Sequence, residues 1–326
     1  MAAAARVTLA DIYRAHERIL PYIHKTPVFT NSTFDKLIGR NAFFKAENLQ
    51  KTGSFKARGA LNAVMALKER NPTVAGVVTH STGNHGQALA WAASTVGLKC
   101  AVVVPRDTPQ VKKDAITNYG AELVLCEPTP QSRQETCDRV AKEQGLEFIP
   151  PFDHHDVIAG QGTIAMELLK QAPDLDAILV PVSGGGLSSG IAIAAKAIKP
   201  GIKIFLVEAE GKMCEKSLRA GERLWPNPPQ FVDTIADAIR TQQLGHVTWP
   251  ILLKHAEKDV FTASDEDMIK GMKFTFQRMK LVIEAASGAA VAAAMSDKLA
   301  AMDKEMKNIG VILCGGNVDI EKLPWY

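Results

Sequence analysis

Three short stretches of the chain hold residues whose types and spacing suit covalent and anion chemistry. In Lys51-Thr-Gly-Ser-Phe-Lys56-Ala-Arg-Gly59 a lysine opens a predicted helix, beside an aromatic residue and glycines that let a bound group approach the backbone. An amine in a partly desolvated pocket has a lowered pKa and can form an imine with an aldehyde. Ser183-Gly184-Gly185-Gly186-Leu187 follows a buried apolar run and opens a helix, where backbone N–H groups and the helix dipole converge on a phosphate. His80-Ser81-Thr82-Gly83-Asn84-His85-Gly86 supplies hydroxyls, an amide and free N–H groups suited to a carboxylate.

Each stretch has a plainer alternative. A single helix lysine is most simply a solvated charge, the glycine run a tight strand-to-helix turn, and the 80–86 segment an N-cap with no ligand. Dinucleotide binding is a sharper rival for the glycine turn, because Glu208 ends the next predicted strand about 20 residues on, where a ribose-binding acid stands. Ser189 in the third glycine position of G-x-G-x-x-G weakens that rival. His154 and His155 are adjacent and cannot share one helix face, so they are expected in a loop and not as metal ligands. Met272 and Met279 fit helix packing.

The elements that must position these stretches alternate. Val77-Val78-Thr79 precedes a helix expected from Gly86 to Val96, Ala101–Val104 precedes one from Pro109 to Tyr119, and 122–125 closes the series. After Pro150-Pro151 a second series starts, with a strand at 177–182, a helix to Ile198, a strand at 203–207 and a late strand at 308–313. The strands are Val/Ile/Leu runs without clean alternation, as parallel sheets buried on both faces require. An α/β protein of two lobes follows, with 77–151 as a small lobe inserted into a large one made of 1–76 and 152–326.

Composition narrows the class. The 326 residues carry a net charge of +3 and 46% hydrophobic residues, the profile of a soluble globular protein with no polybasic surface for nucleic acid or membrane. The start, Met-Ala-Ala-Ala-Ala-Arg, lacks the pattern of a secretory signal, which points to the cytoplasm. The Ala285–Met295 run is far short of the ~20 residues that cross a bilayer. Five cysteines without Cys-x-x-Cys pairing argue against disulfides and structural zinc, and for a reducing compartment.

Taken together, Ser54-Phe-Lys56-Ala-Arg-Gly59, Ser81–Gly86, Ser183–Leu187 and Cys314-Gly-Gly-Asn317 resemble, in order and spacing, the fold-type II pyridoxal-phosphate enzymes, and within them the serine racemase and serine/threonine dehydratase group. The likeness extends to Lys25-Thr-Pro27, Ile158-Ala-Gly-Gln-Gly-Thr163 and Arg278-Met-Lys-Leu281, and is nearest to the animal-type members. It implies a tryptophan synthase β-like fold, with Lys56 holding pyridoxal 5′-phosphate as a Schiff base, Phe55 packing on its ring, Asn84 at its 3′-oxygen, residues 183–187 at the phosphate and Cys314 beside the pyridine nitrogen. It further implies that freed Lys56 removes the Cα proton of an L-amino acid bound by Ser81, Thr82, Gly83, Asn84 and His85. Loss of a β-hydroxyl then gives a keto acid and ammonia, and proton delivery from the opposite face gives the D-amino acid.

Where racemases of this group place a serine on that face, this chain has Thr82, whose extra methyl leaves the ratio of racemase to dehydratase open. The side-chain pocket draws on Arg133 and on Arg240-Thr241-Gln242, in place of the usual Lys-Ser-Ser. An arginine there favours a carboxylate, so aspartate or hydroxyaspartate is an alternative substrate, although the serine-run loop of related aspartate racemases is absent from 150–156. A Mg²⁺ or Ca²⁺ site is expected through Glu208 and Glu210, although the stretch to Glu215 is one residue short and lacks the family's Asp. Glu284-Ala-Ala-Ser-Gly replaces Glu-Pro-Thr/Ser, a change of local packing. An ATP effector site is implied at Lys51, Thr52, Gln87, Tyr119 and Asn317, and a homodimer by the group's habit. A silent regulator that keeps the fold without turnover is the alternative of a different class.

Overall fold

Among the described residues the apolar runs form ten strands: β1 (Val28–Phe29), β2 (Asn41–Ala46), β3 (Gly76–His80), β4 (Lys99–Pro105), β5 (Glu122–Cys126), β6 (Glu147–Phe148), β7 (Ala177–Pro181), β8 (Lys203–Ala209), β9 (Phe261–Ala263) and β10 (Asn308–Leu313). The computed structural model describes residues 7–226 and 230–325, so the Met1–Arg6 start lies outside the described residues. Six strands make one sheet in the order β1-β2-β10-β7-β8-β9, parallel except for the β1–β2 pair. The other four make an all-parallel sheet, β5-β4-β3-β6, drawn from one continuous stretch of chain. β7 and most of β8 are buried, the pattern expected of strands covered on both faces.

The element limits differ from the sequence expectation mainly at helix ends. The helix after β3 begins at Asn84 and runs to Thr95, and the one after β4 spans Gln110–Thr117, with Pro109 just outside it. β8 runs on to Ala209, which places Glu208 inside the strand. His155 is not in a loop: it opens the helix His155–Gln171, with His154 as its N-cap. The alanine-rich run is the buried core helix Ala285–Ala294. Among the described residues no helix is long and apolar enough to cross a membrane, and all five cysteines are free and buried.

The helix Lys56–Arg70 joins the two sheets, because Ala60, Leu61, Ala63 and Val64 pack with the smaller sheet while its opposite side meets His155–Gln171. Small residues allow that approach: a Cβ at Gly59 would lie 2.2 Å from Gln161 Nε2, and one at Gly160 would lie 2.6 Å from the Arg58 carbonyl. Beside this crossing sits a buried, electrically neutral network. Arg58 donates to both oxygens of Glu47 at 2.8 Å and to Glu167 at 2.7 and 2.9 Å. Lys45 bridges to Glu167 at 2.7 Å and donates to the Thr26 carbonyl and Gln171 at 2.9 Å. Two cations and two carboxylates with these bonds leave no net charge in the core, the condition under which buried charge is tolerated.

Candidate active site

The first turn of Lys56–Arg70, the ends of β3, β7 and β10, and the helices that follow β3 and β7 converge on a cavity of about 910 Å³. Parallel α/β sheets place such a crevice at the carboxyl ends of their strands. Phe55, Lys56, Ser81–His85, Ser183–Leu187, Cys314, Arg133, Arg240 and Thr241 all line it, so segments scattered over 260 residues of sequence share one wall.

Lys56 sits where a helix begins without a side-chain cap. Its Nζ donates to the Pro151 carbonyl at 2.5 Å and lies 5.1 Å from the Phe55 ring centre. Among the described residues no carboxylate forms an ion pair with it, and burial pulls its pKa down to about 8, despite weaker opposing pulls from Cys314 and Glu284. The free-amine form is therefore within easy reach near neutral pH.

The glycine turn is shaped by what lies under it. A Cβ at Gly184 would fall 2.3 Å from the Phe152 ring, and Gly185 has φ +96°, the left-handed region that glycine adopts without strain. The Gly184 carbonyl faces away from the cavity's cradle, accepting from Thr248 Oγ1 at 2.7 Å and from the Gly245 N–H at 3.1 Å. The helix Gly186–Ile198 then starts with no side-chain cap, which leaves its first N–H groups to an anion in the cavity. Asp153 has the comparable task at the helix Thr248–His255, accepting from the N–H groups of His246, Val247 and Thr248 at 2.8, 2.8 and 3.2 Å.

On the same cavity, Asn84 opens its helix and donates through Nδ2 to Glu284 at 2.9 and 3.1 Å, while its Oδ1 accepts from Asn317 at 2.8 Å. Glu284 is a site residue that sequence reasoning passed over as packing. Its carboxyl is buried, lines the cavity and is pushed up to about 7 by desolvation. No local signal marks a lone glutamate at the head of an alanine-rich run. Cys314 lies beside it, its Sγ 3.8 Å from Glu284 Oε1 and 3.4 Å from Ser287 Oγ, and burial pushes the thiol far up, so it is neutral. His85 is buried too, with Nε2 at 2.9 Å from the Ile149 carbonyl and its pKa pulled down to about 3 by desolvation, so the ring is uncharged.

The two arginines differ. Arg240 is exposed, donates to the Val232 carbonyl at 3.2 Å and stands over the Phe231 ring. Arg133, half-buried on the helix Pro130–Gln144, forms no ion pair among the described residues, and its buried Nε has no hydrogen-bond partner. At the mouth, Lys112 and Asp237 pair across the opening.

Two groups of expected residues do not come together. Of the effector residues, Gln87 and Asn317 line the cavity, and Asn317 also donates to the Thr52 carbonyl at 2.8 Å. Tyr119 instead packs on the apolar core beneath the smaller sheet. Glu208 and Glu210 do not converge. Glu208 accepts from the N–H groups of Cys214 and Glu215 at 2.9 and 3.3 Å, Glu210 is exposed, and no cluster of three acidic, His or Cys side chains suited to a metal occurs among the described residues. These residues do not fit a divalent ion. Nor is Glu208 free to hold a ribose.

An uncapped helix start for a phosphate, a desolvated amine and a neutral thiol on one cavity fit pyridoxal phosphate and define a pyridoxal-phosphate enzyme of fold-type II. The chain belongs to the family of pyridoxal-phosphate dependent enzymes, whose model matches residues 19–315. Serine racemase of Dictyostelium discoideum is 46% identical over 98% of this chain and 97% of its own. A solved pyridoxal 5′-phosphate-dependent aspartate racemase is 60% identical with a TM-score of 0.97, covering 99% of this chain and all of that one. A solved maize serine racemase is 38% identical with a TM-score of 0.92, over 98% and 96% of the two chains.

Proposed function

We propose that the enzyme interconverts L- and D-serine and also eliminates the β-hydroxyl of serine to give pyruvate and ammonia. The observation that carries this is the placing of the Lys56 amine and the Ser81–His85 hydroxyl and amide loop on one cavity. The bound cofactor supplies the electron sink that lets the Cα–H bond ionise, a moderate one beside a neutral thiol. Lys56 takes the Cα proton as its amine, poised by burial, and returns it on the same face. Thr82 delivers a proton from the opposite face, and N–H groups of the 81–85 loop hold the substrate carboxylate. Phe55 and residues 183–187 hold the cofactor in place. When the β-hydroxyl leaves before reprotonation, the product is the keto acid. A dehydratase with little racemisation is the limit at which Thr82 delivers its proton too slowly.

Arg133 favours a second reading. An unpaired guanidinium lining the cavity suits a substrate carboxylate, and the 60% identical solved structure is that of an aspartate racemase. Supplying L-serine and L-aspartate separately, with D-serine and D-aspartate followed by chiral chromatography and pyruvate by a coupled assay, decides between them. D-serine with pyruvate is the expected result. Pyruvate without D-serine gives the dehydratase, and D-aspartate alone gives the second reading.

The same reading includes lobes limited at 77 and 151, a homodimer, a cytoplasmic site of action in keeping with five unpaired cysteines, and ATP as an effector at Lys51, Thr52, Gln87, Tyr119 and Asn317. It includes no Mg²⁺ or Ca²⁺ at Glu208.

A further inference from the structure

Beneath the glycine turn lies a lysine with no part in the chemistry above. After β8 the chain reverses at Gly211, whose φ of +86° lets the following side chain turn back under the sheet's carboxyl edge. Lys212 is 8% exposed. Its Nζ donates to the Val182 carbonyl at 2.8 Å and lies 3.4 Å from the carbonyls of Ser183 and Ile239. The first two belong to the approach and first residue of the phosphate cradle. The third belongs to the short 3-10 turn Asp237–Ile239, which leads directly into Arg240 and Thr241 on the cavity wall.

A buried ammonium among carbonyl oxygens is a cation site already filled. We infer that the Lys212 ammonium is the fixed structural cation of this enzyme: it ties the phosphate cradle to the substrate-side segment 237–241 and leaves no role for a divalent ion beside Glu208. The neighbouring acids agree. Glu208 spends its two oxygens on backbone N–H groups, and Glu215 is held by Arg219 at 2.7 Å and Lys298 at 3.5 Å. Ca²⁺ needs roughly six to eight oxygens and Mg²⁺ near-octahedral geometry, and either would meet the ammonium's repulsion. A tether built into the chain is also always present, whereas a bound ion leaves when its concentration falls.

The inference does not rest on which amino acid is turned over, and its first test needs no substrate. Purified holoenzyme is dialysed against EDTA, its metal content measured, and its thermal midpoint followed as Mg²⁺ or Ca²⁺ is added. No stoichiometric metal and no shift in midpoint are expected, with racemase and elimination rates also unchanged. A divalent ion retained at one per chain, or a midpoint that rises on adding either ion, overturns the inference. In a second arm, Lys212→Met and the milder Lys212→Gln are compared for cofactor retention by fluorescence titration. Weaker retention is expected in both, more so in Met, and retention equal to wild type in the folded Gln variant overturns the tether.

Discussion

Lys56 and Arg58 stand two residues apart on one helix, in surroundings that treat their charges in opposite ways. Arg58 meets two carboxylates with good geometry, and their charges and hydrogen bonds push its pKa further above an already high value despite its burial. Lys56 donates to one carbonyl and, among the described residues, pairs with no carboxylate, so desolvation wins and its pKa falls to about 8. The same helix turn thus carries a cation committed to the fold and one left unpaired for chemistry. Burial alone does not separate them; the partners do.

Removing either cation sharpens the contrast, and Lys56→Ala should have the largest effect on function. Racemisation and elimination should be lost together, along with the visible absorbance of bound cofactor, while the thermal midpoint of the apoenzyme changes little. An active Lys56→Ala enzyme would break the assignment.

Arg58→Met should show the reverse, a stability loss of about 3–5 kcal/mol in urea melts, because it leaves a net negative charge among Glu47, Glu167 and Lys45. Adding Glu167→Gln restores neutrality and should recover part of the loss. If the single variant melts like wild type, the network is not what stabilises the crossing.

The smallest effect is expected at Glu284. Its folded pKa of about 7 exceeds the ordinary 4.5, so the folded chain keeps a proton that the unfolded chain releases. The stability this contributes is fully present below pH 4.5 and gone above pH 7, a fall of at most about 3 kcal/mol. Glu284→Gln apoenzyme should lose that slope in midpoint-against-pH scans, and an unaltered slope would place the titration elsewhere.

How legible these features were in the sequence follows from their physics. The strands of the middle stretch and the late strand at 308–313 announce themselves as apolar runs, and the lysine and glycine turns carry local composition that only a few backbone tasks require. Glu284, Lys212, Lys45 and Glu167 carry no such mark. Each matters through partners far away in the chain, 200 residues in the Asn84–Glu284 pair and 122 in Lys45–Glu167. The acids expected to hold a metal are illegible for a related reason: a matching acid reveals nothing of the backbone N–H groups that occupy Glu208 or of the lysine four residues later that donates to the Val182 carbonyl. The adjacency of His154 and His155 predicts a loop because the two cannot share a helix face, whereas the helix begins between them.

The fit of Phe152 under Gly184 has a consequence for how the site can change over generations. With no room for even one methyl group at 184 as the chain stands, a side chain there requires the ring at 152 to shift or be replaced. A single change at Gly184 must displace that ring, which favours a smaller residue at 152 beforehand. Among descendants of this chain, the two positions should therefore vary as a pair, with 152 leading.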